Sequence, residues 1–171
     1  PGGSRLAGSL TETAQWIEAH GGECHCVAAN LAKEDQRAHI VPEALARFGG
    51  VDILVNNAAW CRYQPSHEQA LKDVRQTFEI NVVTPLDLTR QALPSMRARG
   101  GGWVVNLSSA TVNLPRPAPY DMTERYTQFN LQAGPSLYAA SKAALERMTA
   151  GQAVELAQYN VAVNTLAPVE A

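Results

Sequence analysis

The chain has 171 residues, of which 46% are hydrophobic and 18% charged, with a formal net charge of −2. This size and composition suffice for one sizeable core and predict a single domain. The charge offers no basic surface for nucleic acid, and no apolar run is long enough to cross a bilayer, so neither nucleic acid nor a membrane is an expected partner.

The predicted elements alternate between helices and strands along the chain. The first helix, at 9–20, carries a capping signal, with Ser9 or Thr11 as the N-cap and Glu12 in the first turn. Hydrophobic periodicity and turn residues then predict, in chain order, a strand at 25–31, a helix at 34–49, a strand at 51–59, a long helical stretch at 67–99 interrupted at Pro85 and Pro94, a strand at 101–109, a helix at 136–158 and a strand at 161–168.

This alternation predicts a doubly wound parallel α/β sheet with helices on both faces. The near-continuous apolar run in VDILVNNAA is typical of a strand buried on both faces. Ligands of such sheets bind at the carboxyl ends of the strands. The segments expected there consist of small or amide residues, which allow close approach and directed hydrogen bonds: Asn30 and Leu31, Asn56 to Ala59, Leu107 to Ser109, and Ala167 with Pro168.

Cysteine usage predicts a reducing compartment, and we expect a cytoplasmic protein. Three cysteines are too few, and odd in number, for a secreted disulfide framework. Cys24 and Cys26 lie near two histidines, but their spacing and the missing second ligand pair do not fit a structural zinc site. We interpret the segment as a strand with two small side chains on one face, and we predict no metal.

The helix at 136–158 carries Tyr138 and Lys142 four residues apart, on one face. A phenol with a pKa near ~10 is a poor base at neutral pH, but a neighbouring ammonium favours the phenolate. The pair is therefore a candidate proton donor and acceptor.

Four segments occur in order at strand ends or on adjoining helices: VDILVNNAA, FEINVVTP, WVVNLSSA and YAASKAAL. Together they resemble the classical short-chain dehydrogenase/reductase family, from about residue 9 to 168. In that resemblance Asn81 matches the conserved helix asparagine, Ser109 the catalytic serine, and Tyr138 with Lys142 the Tyr-x-x-x-Lys motif, while Ala59 stands where the family has glycine.

The resemblance implies a Rossmann-like oxidoreductase that uses NAD or NADP and transfers hydride between the nicotinamide and an alcohol or carbonyl. It implies that Tyr138 exchanges a proton with the substrate oxygen, that Lys142 lowers the Tyr138 pKa and binds the nicotinamide ribose, that Ser109 holds the same oxygen, and that Asn81 anchors a water. The implied cofactor contacts are Asn30, Leu31, Asn56, Asn57, Ala58, Tyr138, Lys142 and Pro168. A homodimer or homotetramer is implied through the two long helices.

Several residues keep a structural alternative. Asn81 is also placed to cap or kink its helix four residues before Pro85, and Ser108 competes with Ser109 for the catalytic position. Asn56 and Asn57 are equally suited to tying neighbouring strands together.

The sequence departs from the family at its ends. The glycine-rich turn that receives the cofactor pyrophosphate has no counterpart, because no apolar strand precedes GGSRLAG. We expect a first strand, helix and second strand to be absent upstream, so that 1–171 is a partial domain, and Val169 follows Pro168 where the family has glycine. A non-catalytic or truncated relative is therefore the alternative function.

The connection at 110–135 is longer than is usual in the family. It joins the segments that carry Ser109 and Tyr138 and contains Tyr120, Tyr126 and Phe129. Long loops inside compact domains are typically functional. We expect this one to lie near the substrate pocket, with a subunit contact or surface arm as the alternative.

Overall fold

The structure, a computed structural model, describes residues 9–113 and 117–168. The segment GGSRLAG and Val169, both discussed above, lie outside the described residues. Three parallel strands form the sheet, in the order β1-β2-β3, with β1 at Ile53–Asn56, β2 at Gly102–Leu107 and β3 at Val161–Leu166. The open parallel sheet with its helices agrees with the fold predicted from the sequence.

The described residues contain seven α-helices and several short turns besides this sheet. The α-helices are α1 (Leu10–Ala19), α2 (Glu34–Arg37), α3 (Ile40–Phe48), α4 (Leu71–Phe78), α5 (Thr84–Ala98), α6 (Arg125–Ala133) and α7 (Ser136–Ala157). Two 3₁₀ turns lie at Ser66–Glu68 and Ala110–Val112, and a π-helical turn lies at Glu79–Val83. Ser9 is the N-cap of α1, because its hydroxyl accepts a hydrogen bond from the Glu12 N–H at 3.1 Å.

The strand register brings the three carboxyl ends to one edge of the sheet. Asn56 pairs with Asn106, and Asn106 pairs with Thr165 on the other side. The turns that follow the strands therefore begin at the same level, where parallel α/β sheets bind their ligands.

Helices α5 and α7 cover one face of the sheet. The core there consists of apolar side chains from both helices and from β2 and β3: Ala92, Met96, Val104, Leu156, Val161 and Val163. Gly102 permits this close packing, since an added Cβ would lie 2.7 Å from the Met96 Cγ. This packing fixes α7, and with it the Tyr-x-x-x-Lys pair, against the strands.

The opposite face of the sheet is exposed in the described part of the chain. Ile53 and Val55, which the apolar run predicted to be buried, and Trp103 of β2 are 61%, 56% and 56% exposed. They alternate with the covered residues, as strand geometry requires. Helix α1 does not bury this face, because none of its residues is buried.

The strand predicted at 25–31 is wrong: these residues form no ladder. A strand needs a neighbour to satisfy its backbone groups, and within the described residues β1 pairs only with β2. The helix predicted at 34–49 is divided into α2 and α3, because Pro42 has no N–H to donate to Ala38. The strands predicted at 51–59 and 101–109 are shorter than expected at both ends, and the strand predicted at 161–168 is shorter at its carboxyl end.

The long helical stretch starts at Leu71 rather than at 67, and its irregularity lies before Pro85 rather than at the two prolines. A proline clashes with the carbonyl four residues earlier, which here belongs to Asn81. The π-helical turn at Glu79–Val83 widens the helix at this position and ends directly before α5. Pro94 lies inside α5 without ending it.

Among the described residues, none of the helices combines the length and apolar character that a bilayer span requires. In the same residues, no three His, Cys, Asp or Glu side chains come together in a way that suits a metal ion. Cys24, Cys26 and Cys61 are free thiols.

Candidate active site

Helix α7 presents Tyr138 and Lys142 beneath the carboxyl end of β2. Lys142 is 1% exposed, and its Nζ donates a hydrogen bond to the Leu107 carbonyl at 2.5 Å. The same Nζ lies 5.7 Å from the centroid of the Tyr138 ring. An ammonium has three protons, so this contact leaves two for other acceptors. Within the described residues no further hydrogen-bond partner meets them.

Burial shifts the two pKa values of this pair in opposite directions. Burial lowers the pKa of Lys142, because the charged ammonium loses water. Burial also raises the pKa of Tyr138, the nearby Cys61 thiol raises it further electrostatically, and a hydrogen bond with the Ser109 side chain lowers it in part. In this structure the Tyr138 pKa is therefore raised, whereas the resemblance implied a lowered one. The phenol is held in its protonated form.

The structure brings Ser109, rather than Ser108, to Tyr138. Ser109 is the serine that lowers the Tyr138 pKa through its side chain. It also caps the turn Ala110–Val112, where its Oγ accepts a hydrogen bond from the Thr111 N–H at 3.2 Å. Ser108 is buried, and its hydroxyl donates to the Glu146 Oε1 at 2.6 Å. The alternation of side chains after β2 separates the two serines.

Asn81 is fully buried, and its amide links the turn after β1 to α7. Its Oδ1 accepts a hydrogen bond from the Trp60 N–H at 2.8 Å, and its Nδ2 donates to the Trp60 carbonyl and to the Ser141 Oγ, both at 2.9 Å. The Ser141 hydroxyl in turn donates to the Tyr138 carbonyl at 2.7 Å. The side chain of Asn81 thus links Trp60 to α7, the helix that carries Tyr138 and Lys142.

The residues at the end of β1 divide into a structural and an exposed set. Asn56 is buried and donates to the Asn106 Oδ1 at 2.8 Å, and Asn106 donates to the Thr149 Oγ1 at 2.9 Å. This chain ties β1, β2 and α7 together, as the structural alternative for Asn56 predicted. Asn57 and Ala58 are exposed, at the edge where the strands end.

Asn30 and Leu31 lie in the turn before α2 rather than at the end of a strand. The Asn30 Oδ1 accepts a hydrogen bond from the Ala32 N–H at 3.0 Å. The Leu31 carbonyl accepts two, from the Arg37 Nη1 at 2.7 Å and from the Thr84 Oγ1 at 3.0 Å. At the far side of the sheet, Pro168 is exposed just past β3.

Arg37 is a buried side chain that stabilises this turn, and the sequence analysis did not predict its role. It is 3% exposed, and it donates to the Asp87 Oδ2 at 2.7 Å and to the Glu79 Oε1 at 2.8 Å. Burial alone raises the pKa of Asp87, but hydrogen bonds from Arg37 and Arg90 outweigh it and hold this pKa below its ordinary value. A single arginine on a polar four-residue helix carries no sequence signal for burial.

A further missed feature is the segment 60–69, which we call the clamped loop. It begins at Trp60, held by Asn81, and it places the ring of Tyr63 against Tyr138, with the ring centroids 6.0 Å apart. Tyr63 lies seven residues past the end of β1 in an aperiodic segment. The rule that ligands bind at strand ends therefore predicted only the region in which Tyr63 lies, and not the residue itself.

The family model for short chain dehydrogenases matches residues 4–120 and 127–170. An uncharacterized oxidoreductase of Thermotoga maritima is 32% identical over 92% of this chain and 55% of its own length. Dehydrogenase/reductase SDR family member 4 of Homo sapiens is 32% identical over 96% of this chain and 54% of its own length. The chain thus spans about half the length of these curated relatives.

Solved structures agree with the family model. A metagenomic short-chain oxidoreductase in complex with NADP has a TM-score of 0.79 at 29% identity, over 95% of this chain and 66% of its own. The 7 alpha-hydroxysteroid dehydrogenase complexed with NADH and 7-oxo glycochenodeoxycholic acid has a TM-score of 0.79 at 25% identity, over 93% of this chain and 56% of its own. Residues 121–126, inside the connection that the sequence analysis found long, are not matched by the family model. The chain belongs to the short-chain dehydrogenase family.

Proposed function

We propose that this chain carries the proton-transfer site of an NAD- or NADP-dependent oxidoreductase that interconverts an alcohol and a carbonyl compound. The observation that carries the proposal is the meeting of Tyr138, Lys142 and Ser109 at the carboxyl end of β2, within a chain that belongs to the short-chain dehydrogenase family. A substrate oxygen bound at this position would lie close to both the Tyr138 phenol and the Ser109 hydroxyl.

In carbonyl reduction Tyr138 donates its proton to the substrate oxygen, and in alcohol oxidation its phenolate accepts one. Ser109 donates a hydrogen bond to the same oxygen and holds it in line with Tyr138. The raised pKa of Tyr138 supports the acid role, because the phenol keeps its proton at neutral pH. When bound, the nicotinamide supplies or accepts the hydride at the substrate carbon.

The residues proposed to hold the nucleotide lie along the edge where the strands end. Lys142 uses its remaining protons for ribose hydroxyls. The exposed residues Asn57 and Ala58 offer an approachable backbone at this edge. We include Asn30 and Leu31, from the turn before α2, and the exposed Pro168, just past β3, among the proposed contacts. The proposal includes both NAD and NADP, because one similar solved structure contains NADP and another contains NADH.

We assign the proposed water-anchoring role to the backbone carbonyl of Asn81, since its amide is fully engaged. In an α-helix this carbonyl would accept a hydrogen bond from residue 85, which is a proline without an N–H. Pro85 therefore cannot occupy this carbonyl, which lies in the π-helical turn. A water there would connect Lys142 with solvent.

Two further features complete the proposal. Of the connection at 110–135, the part that carries Phe129 borders the proposed substrate pocket, because the Phe129 ring centroid lies 5.8 Å from that of Tyr63. The outer faces of α4, α5 and α7 expose Leu71, Leu86 and Val154 at 69%, 45% and 79%. We propose that these apolar residues lie in a homo-oligomer interface.

The test uses the purified whole protein, with NADH and NADPH titrated by fluorescence and a panel of aldehydes and ketones followed by nucleotide oxidation. We expect one nucleotide to bind and at least one carbonyl to be reduced. Ser109→Ala is expected to lower kcat by about 10²–10³-fold, whereas the matched control Ser108→Ala retains activity. Absence of both nucleotide binding and turnover would instead support the non-catalytic alternative.

A further inference from the structure

Tyr63 stands between the proposed catalytic phenol and the long connection. Its ring meets Tyr138 edge to face, at 6.0 Å and 86°, and Phe129 likewise, at 5.8 Å and 84°. Tyr63 remains 47% exposed. An aromatic surface is thus left open directly beside Tyr138.

The clamped loop holds Tyr63 on both sides. Gln69 Nε2 donates to the carbonyl of Arg62 at 3.0 Å and to that of Gln64 at 3.1 Å, so both neighbours of Tyr63 are tied to one side chain. Arg62 also pairs with the buried Asp73 at 3.1 Å. The position of Tyr63 is therefore set by the loop before any substrate binds.

Phe129 is held in a similar way from the other side. It lies on α6, which is anchored where the Tyr126 hydroxyl donates to the Asn113 carbonyl at 2.7 Å. At the end of α6 the Gln64 N–H donates to the Gly134 carbonyl at 3.4 Å. A Cβ on Gly134 would lie 2.4 Å from the Gln64 carbonyl carbon, so only glycine permits this approach. The connection and the clamped loop are locked together.

We propose that Tyr63 and Phe129 form a specificity-determining aromatic wall, which favours alcohols and ketones that carry a ring next to the reacting carbon. The inference rests on the proposed function and adds the substrate class. A ring packed on Tyr63 covers its exposed surface and gains the edge-to-face or offset contacts that aromatic rings prefer. Because both residues are held in advance, little ordering is needed when the substrate binds.

The test compares acetophenone with acetone, two methyl ketones that differ in the group beside the carbonyl. The quantity measured is the ratio of their kcat/KM values in the whole protein. We expect the wild type to prefer acetophenone, and Tyr63→Ala to lower the ratio by about tenfold, with a similar effect from Phe129→Ala. Tyr63→Phe keeps the ring and is expected to keep the ratio.

Tyr120→Ala is the matched control, because Tyr120 belongs to the same connection but lines a separate groove of about 450 Å³ with Pro117, Asp121 and Leu131. We expect it to leave the ratio unchanged. A wild type without preference for acetophenone, or a Tyr63→Ala variant with an unchanged ratio, overturns the inference. If neither ketone is reduced while another carbonyl is, the aromatic wall is overturned and the proposed function stands. If no carbonyl is reduced, both fall.

Discussion

Replacing Asn81 by leucine removes a buried amide of similar volume and leaves its partners behind. Three hydrogen bonds of 2.8–2.9 Å are lost. The Ser141 hydroxyl keeps its bond to the Tyr138 carbonyl, so the unsatisfied groups are the N–H and carbonyl of Trp60. Each buried backbone group left unpaired costs about 1–3 kcal/mol. Since Trp60 is half-buried, we expect a total loss of about 3 kcal/mol in the free energy of unfolding.

This loss is measured by urea unfolding followed by circular dichroism, with thermal unfolding as a second readout. For a domain of this size about 3 kcal/mol lowers Tm by roughly 6–12 °C. Gln76→Leu serves as the control, because this amide on α4 is exposed and its removal is expected to change stability by no more than about 0.5 kcal/mol. A loss below about 1 kcal/mol for Asn81→Leu would refute the view that this amide fixes the start of the clamped loop.

Three further predictions concern pH and backbone geometry. Burial and Cys61 both raise the Tyr138 pKa, so Cys61→Ala should lower it. The alkaline limb of the pH profile of kcat/KM for reduction is then expected at lower pH, and a limb at the wild-type pH would contradict this. The lowered Asp87 pKa contributes stability that is present above the ordinary carboxyl pKa of ~4 and is lost as pH falls through the folded-state value. Asp87→Asn should therefore make the free energy of unfolding in urea depend less steeply on acid pH. An equally steep dependence speaks against the Arg37 contact. Gly134→Ala forces a side chain into a φ of 62° and against the clamped loop, so we expect the free energy of unfolding to fall by about 2 kcal/mol or more. A Tm within 2 °C of the wild type would contradict the close approach.

The parts of the fold that the sequence predicts well depend on local patterns. Helix α7 was expected at 136–158 and spans Ser136–Ala157, and the strand-end rule located the segments around Asn56 and Ser109. Residues 25–31 have the composition of a strand, yet pairing depends on a neighbour that composition does not specify. The apolar run at 51–59 likewise could not specify which face of β1 is covered, because both faces carry similar side chains.

The parts of the site that escaped prediction depend on contacts between distant segments. Arg37 is buried through partners 42 and 50 residues away, and such pairing leaves no periodic signal. Tyr63 and Phe129 meet because Gly134 brings α6 to the clamped loop. The choice between Ser108 and Ser109 also required the structure, since it depends on which hydroxyl faces Tyr138 and which faces Glu146.

The most direct test of the proposed function is the reductase activity of Tyr138→Phe in the whole protein. This variant keeps the ring that packs on Tyr63 and removes only the hydroxyl. The account predicts that kcat falls by about 10²–10⁴-fold, the usual range for a general acid, while the affinity for the nucleotide changes little. A variant that retains more than about one-third of the wild-type kcat would contradict the assignment of Tyr138 as the proton donor.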